Sequence, residues 1–147
     1  VNDHFKLLKL KAVDYVDIQI VAGALQDAIV PTLDIAYDEN LKQFMFASNR
    51  FRWENKNKTG KERINCAVTF SNVRRVQRKG IDRSRPSTFL NLLTINLTDQ
   101  PENEESIIEL IFSDDATIRL EIDSLLCHLE DFGEPWLTEE QPQHKEE

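Results

Sequence analysis

Glycine is scarce in this sequence, at 4 of 147 residues. That leaves little material for a phosphate cradle of backbone amides, and neither a P-loop nor a dinucleotide-type glycine cluster is present. Cysteine is scarcer still: Cys66 and Cys127 are too few for a disulfide framework and do not stand at metal-ligand spacing. They read as small buried hydrophobes in a reducing compartment. The histidines are His4, His128 and His144. On a helix His128 and Cys127 point about 100° apart and share no face, so no metal or other cofactor is expected. There is no nucleophile elbow and no His-Glu-x-x-His. The acid pairs Glu104-Glu105 and Asp114-Asp115 fall in expected loops, where solvated carboxylates are the rule. An enzyme would need a site assembled from distant residues, and none is expected. No apolar run approaches the roughly 20 residues of a bilayer span; the longest are short, as in Ile107–Phe112. The opening Val1-Asn2-Asp3-His4 has no basic stretch followed by an apolar one, so no secretory leader is read and a cytoplasmic location is expected.

What is present suffices for a globular core, with 40% hydrophobic residues. One domain is expected over residues 1–136, followed by an acidic, disordered tail at 137–147. Phe5 to Lys11 alternates loosely, as a first strand. Asp14 stands as an N-cap before a helix over 14–29 with Ile18, Val21, Leu25, Ala28 and Ile29 on one stripe, stopped by Pro31. The period then changes to two. Leu33, Ile35 and Tyr37 lead through Asp38-Glu39-Asn40, with Asn40 left-handed, to Phe44 and Phe46 and on towards Phe51 and Trp53. Ile64, Cys66, Val68 and Phe70 give the cleanest alternation, and Ser71-Asn72 reads as a turn or bulge before a strand from Val73 to Gln77. Phe89 to Leu97 follows, then a tight hairpin of Ile107–Phe112 and Thr117–Ile122 about Asp114-Asp115. Leu125, Leu126, Leu129 and Phe132 read as a last helix over 124–132, with Gly133 at its C′ position and Pro135 preventing continuation. The sum is an α+β fold: a curled, mostly antiparallel sheet of about seven strands, a PH-like partly open barrel, with an N-terminal helix and a C-terminal capping helix.

Charge is sharply divided. Residues 50–85 hold twelve of the 18 Lys and Arg but only Glu54, Glu62 and Asp82 among the 26 acids, a balance of +9 that leaves the rest of the chain at −17. The basic residues gather about two loops, the first running from Arg50 and Arg52 to Lys61 and Arg63, the second from Arg74 and Arg78 to Arg83 and Arg85. Phe51 and Trp53 alternate with Arg50 and Arg52, an arrangement that offers stacking plus charge to a nucleic acid. Period-two alternation by itself makes Phe51 and Trp53 core and the arginines the wet face of the same strand, and that reading is preferred.

Four stretches resemble a known family: Leu25-Gln26-Asp27-Ala28, Asn49-Arg50-Phe51-Arg52-Trp53-Glu54, Arg78-Lys79-Gly80-Ile81-Asp82-Arg83 and Leu129-Glu130-Asp131-Phe132-Gly133-Glu134-Pro135-Trp136. Spread over residues 5 to 136, they are similar to the Domain of Unknown Function family numbered twenty-nine forty-eight, small proteins found mainly in alphaproteobacteria. The resemblance implies a bacterial cytoplasmic protein with no assigned activity and no catalytic residues to carry over. This chain has Lys and Asn in loops where the usual relative is richer in arginine and alanine.

The charge layout leads to an expected function: a non-catalytic interaction domain that engages an acidic protein or other anionic ligand. Arg50, Arg52, Trp53, Arg74, Arg78 and Arg83 are the candidate contacts. The alternative is RNA or DNA binding by the same segment, with Trp53 stacking; the net charge of −8 opposes it.

Overall fold

The structure, a computed structural model, describes residues 6–54, 61–81, 88–100 and 105–138. Strand β1 (Lys9–Ala12) overlaps the later part of the first strand expected over Phe5 to Lys11, of which Phe5 lies outside the described residues. Asp14 then caps helix α1 (Tyr15–Ala24). Its Oδ1 accepts from the Asp17 N–H at 2.8 Å, and Asp17 Oδ2 accepts from the Val13 N–H at 2.9 Å. The first bond satisfies an amide that the first helical turn leaves unpaired, and the second ties the residue before the cap back to that turn. The helix buries Ile18, Val21 and Ala22 but ends five residues before the expected boundary at 29, with Leu25 as C-cap and Asp27 at φ 63°. The chain turns into β2 (Ala28–Pro31), where Ala28 and Val30 are buried at period two. The β-branched pair Ile29-Val30 suits a strand, and pairing supplies amide partners that one more helical turn before Pro31 would lack.

A 3-10 turn at Thr32–Asp34 leads to β3 (Ile35–Asp38), and β4 (Gln43–Phe51) returns beside it. At the corner, Asp38 Oδ1 accepts from the N–H groups of Asn40 and Leu41, and the left-handed residue is Lys42 rather than Asn40. Strand β5 (Lys61–Phe70) turns at Ser71-Asn72, with Asn72 at φ 60°, into β6 (Val73–Lys79). Strands β7 (Phe89–Gln100), β8 (Glu105–Phe112) and β9 (Thr117–Ile122) form a meander, and Asp114 and Asp115, both at φ 61°, make the expected tight turn between the last two.

Residues 124–132 do not form a capping helix. They lead into β10 (Cys127–Thr138), paired with β1 on one edge and β5 on the other. Leu125, Leu126, Leu129 and Phe132 fit a helical period, but Cys127, Leu129 and Asp131 also alternate, and those three are buried. Pairing on both edges satisfies the strand's amides and carbonyls, a gain no local period reports. Gly133, at φ 76°, and Pro135 therefore terminate nothing. They sit in an irregularity where the register steps from Phe132 to Trp136 while β5 steps only from Asn65 to Arg63. Leu137 and Thr138, expected in the tail, pair with Glu62 and Lys61.

Among the described residues there are ten strands and one α-helix. The strand order is β1-β10-β5-β4-β2-β7-β8-β9-β6, with β3 also on β4, and every pairing is antiparallel. The path has two ends, so the sheet is not closed into a barrel. It does curl. The Val73 N–H donates to Lys42 O at 2.9 Å and Tyr37 Oη donates to Val73 O at 2.7 Å, tying the start of β6 to the β3–β4 corner although four strands separate β6 from β4 in the order. The concave side holds the core, with Phe44, Phe46, Val68 and Leu129 from one part of the sheet and Ile95, Ile108, Leu110 and Leu120 from the other. Helix α1 packs on β1 and β7 and adds Ile18 and Val21 to that core.

Candidate interaction surface

The phase of β4 decides where its arginines go. Phe44, Phe46, Ser48 and Arg50 alternate into the interior, and opposite them on β5 stand Phe70, Val68, Cys66 and Ile64. Arg50 thus lies on the core side, with 0% of its side chain exposed. Its Nε donates to Asp131 Oδ1 at 2.8 Å and its Nη2 to Asp131 Oδ2 at 2.7 Å. Nη2 also donates to Glu54 Oε2 at 2.7 Å, and Nη1 donates to Glu54 Oε1 at 3.0 Å and Phe51 O at 3.3 Å. A guanidinium has five N–H groups, and all five are committed. Asp131 is held in turn: its Oδ2 accepts the Leu8 N–H at 2.8 Å, and its own N–H donates to Leu8 O at 2.9 Å. Burial alone would lower the Arg50 pKa, but the hydrogen bonds and charges of Asp131 and Glu54 outweigh it and hold the group more firmly protonated than usual. For Glu54, burial raises the pKa, and the bonds and charge of Arg50 more than reverse this, leaving it below the ordinary carboxylate value.

Arg52 is also buried. Its Nη1 donates to Glu62 Oε1, its Nε lies 3.8 Å from Glu54 Oε2, and that Nε has no hydrogen-bond partner among the described residues. The expectation that the arginines form the wet face while Phe51 and Trp53 form the core is therefore reversed for the arginines. Phe51 is buried too, but on the opposite face, where its ring meets that of half-buried Trp53 at 4.7 Å. Trp53 Nε1 donates to Gln26 O at 3.3 Å. Three of the four segments that carried the family resemblance thus converge: Gln26 meets Trp53, and Arg50 meets Asp131. The convergence is an internal joint, and its cations are occupied by its own acids.

The basic residues of β6 stand elsewhere. Strands β2, β7, β8 and β9 lie between β4 and β6 in the sheet order, and Arg74 sits next to Val73, beside Lys42 at the start of β4. Arg50 is eight positions further along the chain from Lys42, roughly 26 Å at about 3.3 Å per residue. Arg74 Nε pairs with Asp123 Oδ1 at 3.0 Å and Arg75 Nη1 with Glu121 Oε2 at 3.6 Å, both at the surface. Arg75, Gln77 and Lys79 face one side of the sheet, in register with Glu121, Arg119 and Thr117 of β9. The next strand continues these rows with Glu109 opposite Arg119 and Ile111 opposite Thr117. An open groove of about 920 Å³ follows these rows, lined by Gln77, Arg78, Lys79, Glu109 and Arg119 and bounded by Asp114 and Asp115. Gly80 ends the strand at φ 75°, packed so closely on the β8–β9 turn that an added Cβ would come 2.8 Å from Asp115 O. Arg83, like Lys56, Lys58 and Arg85, lies outside the described residues.

Of the six expected contacts, then, Arg50, Arg52 and Trp53 share one end of β4, Arg74 and Arg78 share β6, and the described strands do not bring the two sets together. The residue that reading along the chain missed is Asp131. Its signal was the alternation Cys127, Leu129, Asp131, which places an acid on a buried face and calls for a cation opposite.

A family model described as Protein of unknown function (DUF2948) matches residues 8–144. No curated protein and no solved structure matches the chain. No helix among the described residues is long and apolar enough to cross a membrane.

Proposed function

The chain belongs to that family, and we propose that it is a non-catalytic interaction domain that engages an acidic protein through the basic strand β6. The single observation carrying this reading is the density of cations on β6: Arg74, Arg75, Arg78 and Lys79 fall within seven residues at the end of the sheet, with Arg119 beside them on β9. The pairs Arg74–Asp123 and Arg75–Glu121 do not count against it. Exposed ion pairs are worth about 0 to 1 kcal/mol, so carboxylates of a partner can exchange for them at little cost. Arg50 and Arg52 contribute by holding the sheet together and not by contact.

The alternative, RNA or DNA binding, asks for rings beside the charge. Trp53 lies just past the end of β4, bonded to Gln26 and packed on Phe51, away from β6. The test is retention of the protein on immobilised poly-L-glutamate at low ionic strength, compared with single-stranded oligonucleotide of equal charge. The reading expects salt-sensitive retention on polyglutamate that Arg75→Glu with Lys79→Glu abolishes. Retention unchanged by that double reversal overturns it, and markedly tighter binding of the oligonucleotide transfers the case to the alternative.

A further inference from the structure

We propose that the acidic partner docks on β6 as an added β-strand, continuing the sheet beyond its tenth member. This rests on the reading above, that β6 is the binding element, and specifies the geometry and the partner sequence.

Strand β6 is an end of the sheet, and no described strand pairs along its side away from β9. In an antiparallel ladder alternate residues direct their N–H and C=O groups away from the neighbour, so the side of β6 away from β9 carries backbone groups turned outward, where no described strand pairs with them. The start of this edge already makes such bonds, because Val73 gives its N–H to Lys42 O and takes Tyr37 Oη on its carbonyl. A segment laid beyond Val73, past the register step between Val73 and Arg75, would add backbone bonds next to those of the β3–β4 corner.

The side chains say what kind of strand fits. Arg75 and Lys79 project on one face with Gln77 between them. Val76, opposite Leu120, projects on the other face, where it packs on the core yet is only partly buried. An incoming strand therefore finds cations at the first and fifth positions of one face and the partly buried Val76 on the other. The matching segment is extended and reads acid, apolar, polar, any residue, acid. Cations along an edge ordinarily prevent strand pairing, since they repel another copy of the same basic edge. That repulsion turns into selection when the incoming strand is acidic, because it discriminates against neutral and basic strands while admitting this one. Polyanions that cannot pair backbones, nucleic acid included, would use the charge but not the edge.

The probe is a capped peptide containing Glu-Val-Thr-Glu-Glu between threonine flanks, with two comparison peptides: the same sequence N-methylated at alternate residues, and a scrambled sequence of equal charge. Binding is measured by fluorescence anisotropy, and amide exchange is followed over residues 73–79. The proposal expects the parent peptide to slow exchange on β6, and N-methylation to weaken binding roughly tenfold or more, in line with the loss of backbone hydrogen bonds. Equal, salt-sensitive binding of all three peptides with no protection of β6 overturns strand addition while leaving the charge-based reading intact. Failure of every acidic peptide and of polyglutamate to bind at low salt overturns both.

Discussion

Arg50 and Asp131, separated by 81 positions in the chain, meet through two hydrogen bonds of 2.8 and 2.7 Å with both side chains wholly buried. The bond spans β5, which lies between their strands, and through Leu8 it also anchors the chain at the start of β1. Three stretches far apart in sequence are therefore clasped at one guanidinium–carboxylate contact.

Breaking one side of that contact leaves a buried charge short of partners. Asp131→Ala is expected to cost about 3 kcal/mol in urea unfolding, the scale for half of a buried ion pair. Arg50→Met combined with Asp131→Leu is expected to cost less than the sum of the single changes, because neither charge is then stranded. Additive losses in the double-mutant cycle would show that the two side chains do not act as a pair.

Acid should act through Glu54. Its folded pKa lies below the ordinary 4.5, so its stabilising contribution is present above that value and is lost as pH falls through the lower, folded value. Glu54→Gln is expected to reduce stability at neutral pH and to flatten the acid limb below about pH 4.5. Melting temperatures between pH 7 and pH 3 check this, and parallel curves for the two proteins count against it.

The two thiols should be inert in the folded protein. Both are buried, and burial pushes Cys66 up to about 11 and Cys127 up to about 12, so almost no thiolate exists at pH 8. Iodoacetamide is expected to label neither under native conditions and both in denaturant. Labelling of one thiol alone in the native protein, read by mass spectrometry, contradicts the packing at that strand.

Gly80 and Gly133 share a left-handed φ, of 75° and 76°, but not their surroundings. At Gly133 nothing lies within 4 Å of an added Cβ, so Gly133→Ala is expected to cost only the backbone strain, about 1 kcal/mol. At Gly80 the same change also presses on Asp115 O, and about 2 to 3 kcal/mol is expected. Equal losses for the two variants would mean that the β8–β9 turn yields freely.

Much of the molecule was legible along the chain. The Asp14 cap, the Asp114-Asp115 hairpin and the alternation of β5 all appear where the local pattern put them, since each depends on bonds or periods within a few residues. The interior position of Arg50 was also written there, in phase with Phe44 and Phe46, but residue type argued against it. A cation is read as solvent-facing until its counter-ion is known, and Asp131 lay in a stretch read as helix.

What the amino-acid sequence determined by itself is a strand-rich chain, its hairpins, the start of its first helix and a basic middle segment. Tertiary structure decided the rest: that residues 127–138 are a strand, that Arg50 and Arg52 turn inward, and that β6 ends the sheet. The physical reason is common to all three. A strand exists only if another strand offers it an edge, and a buried charge is tolerated only if its partner is buried with it. In this protein those partners come from positions far away in the chain, where no local window reaches.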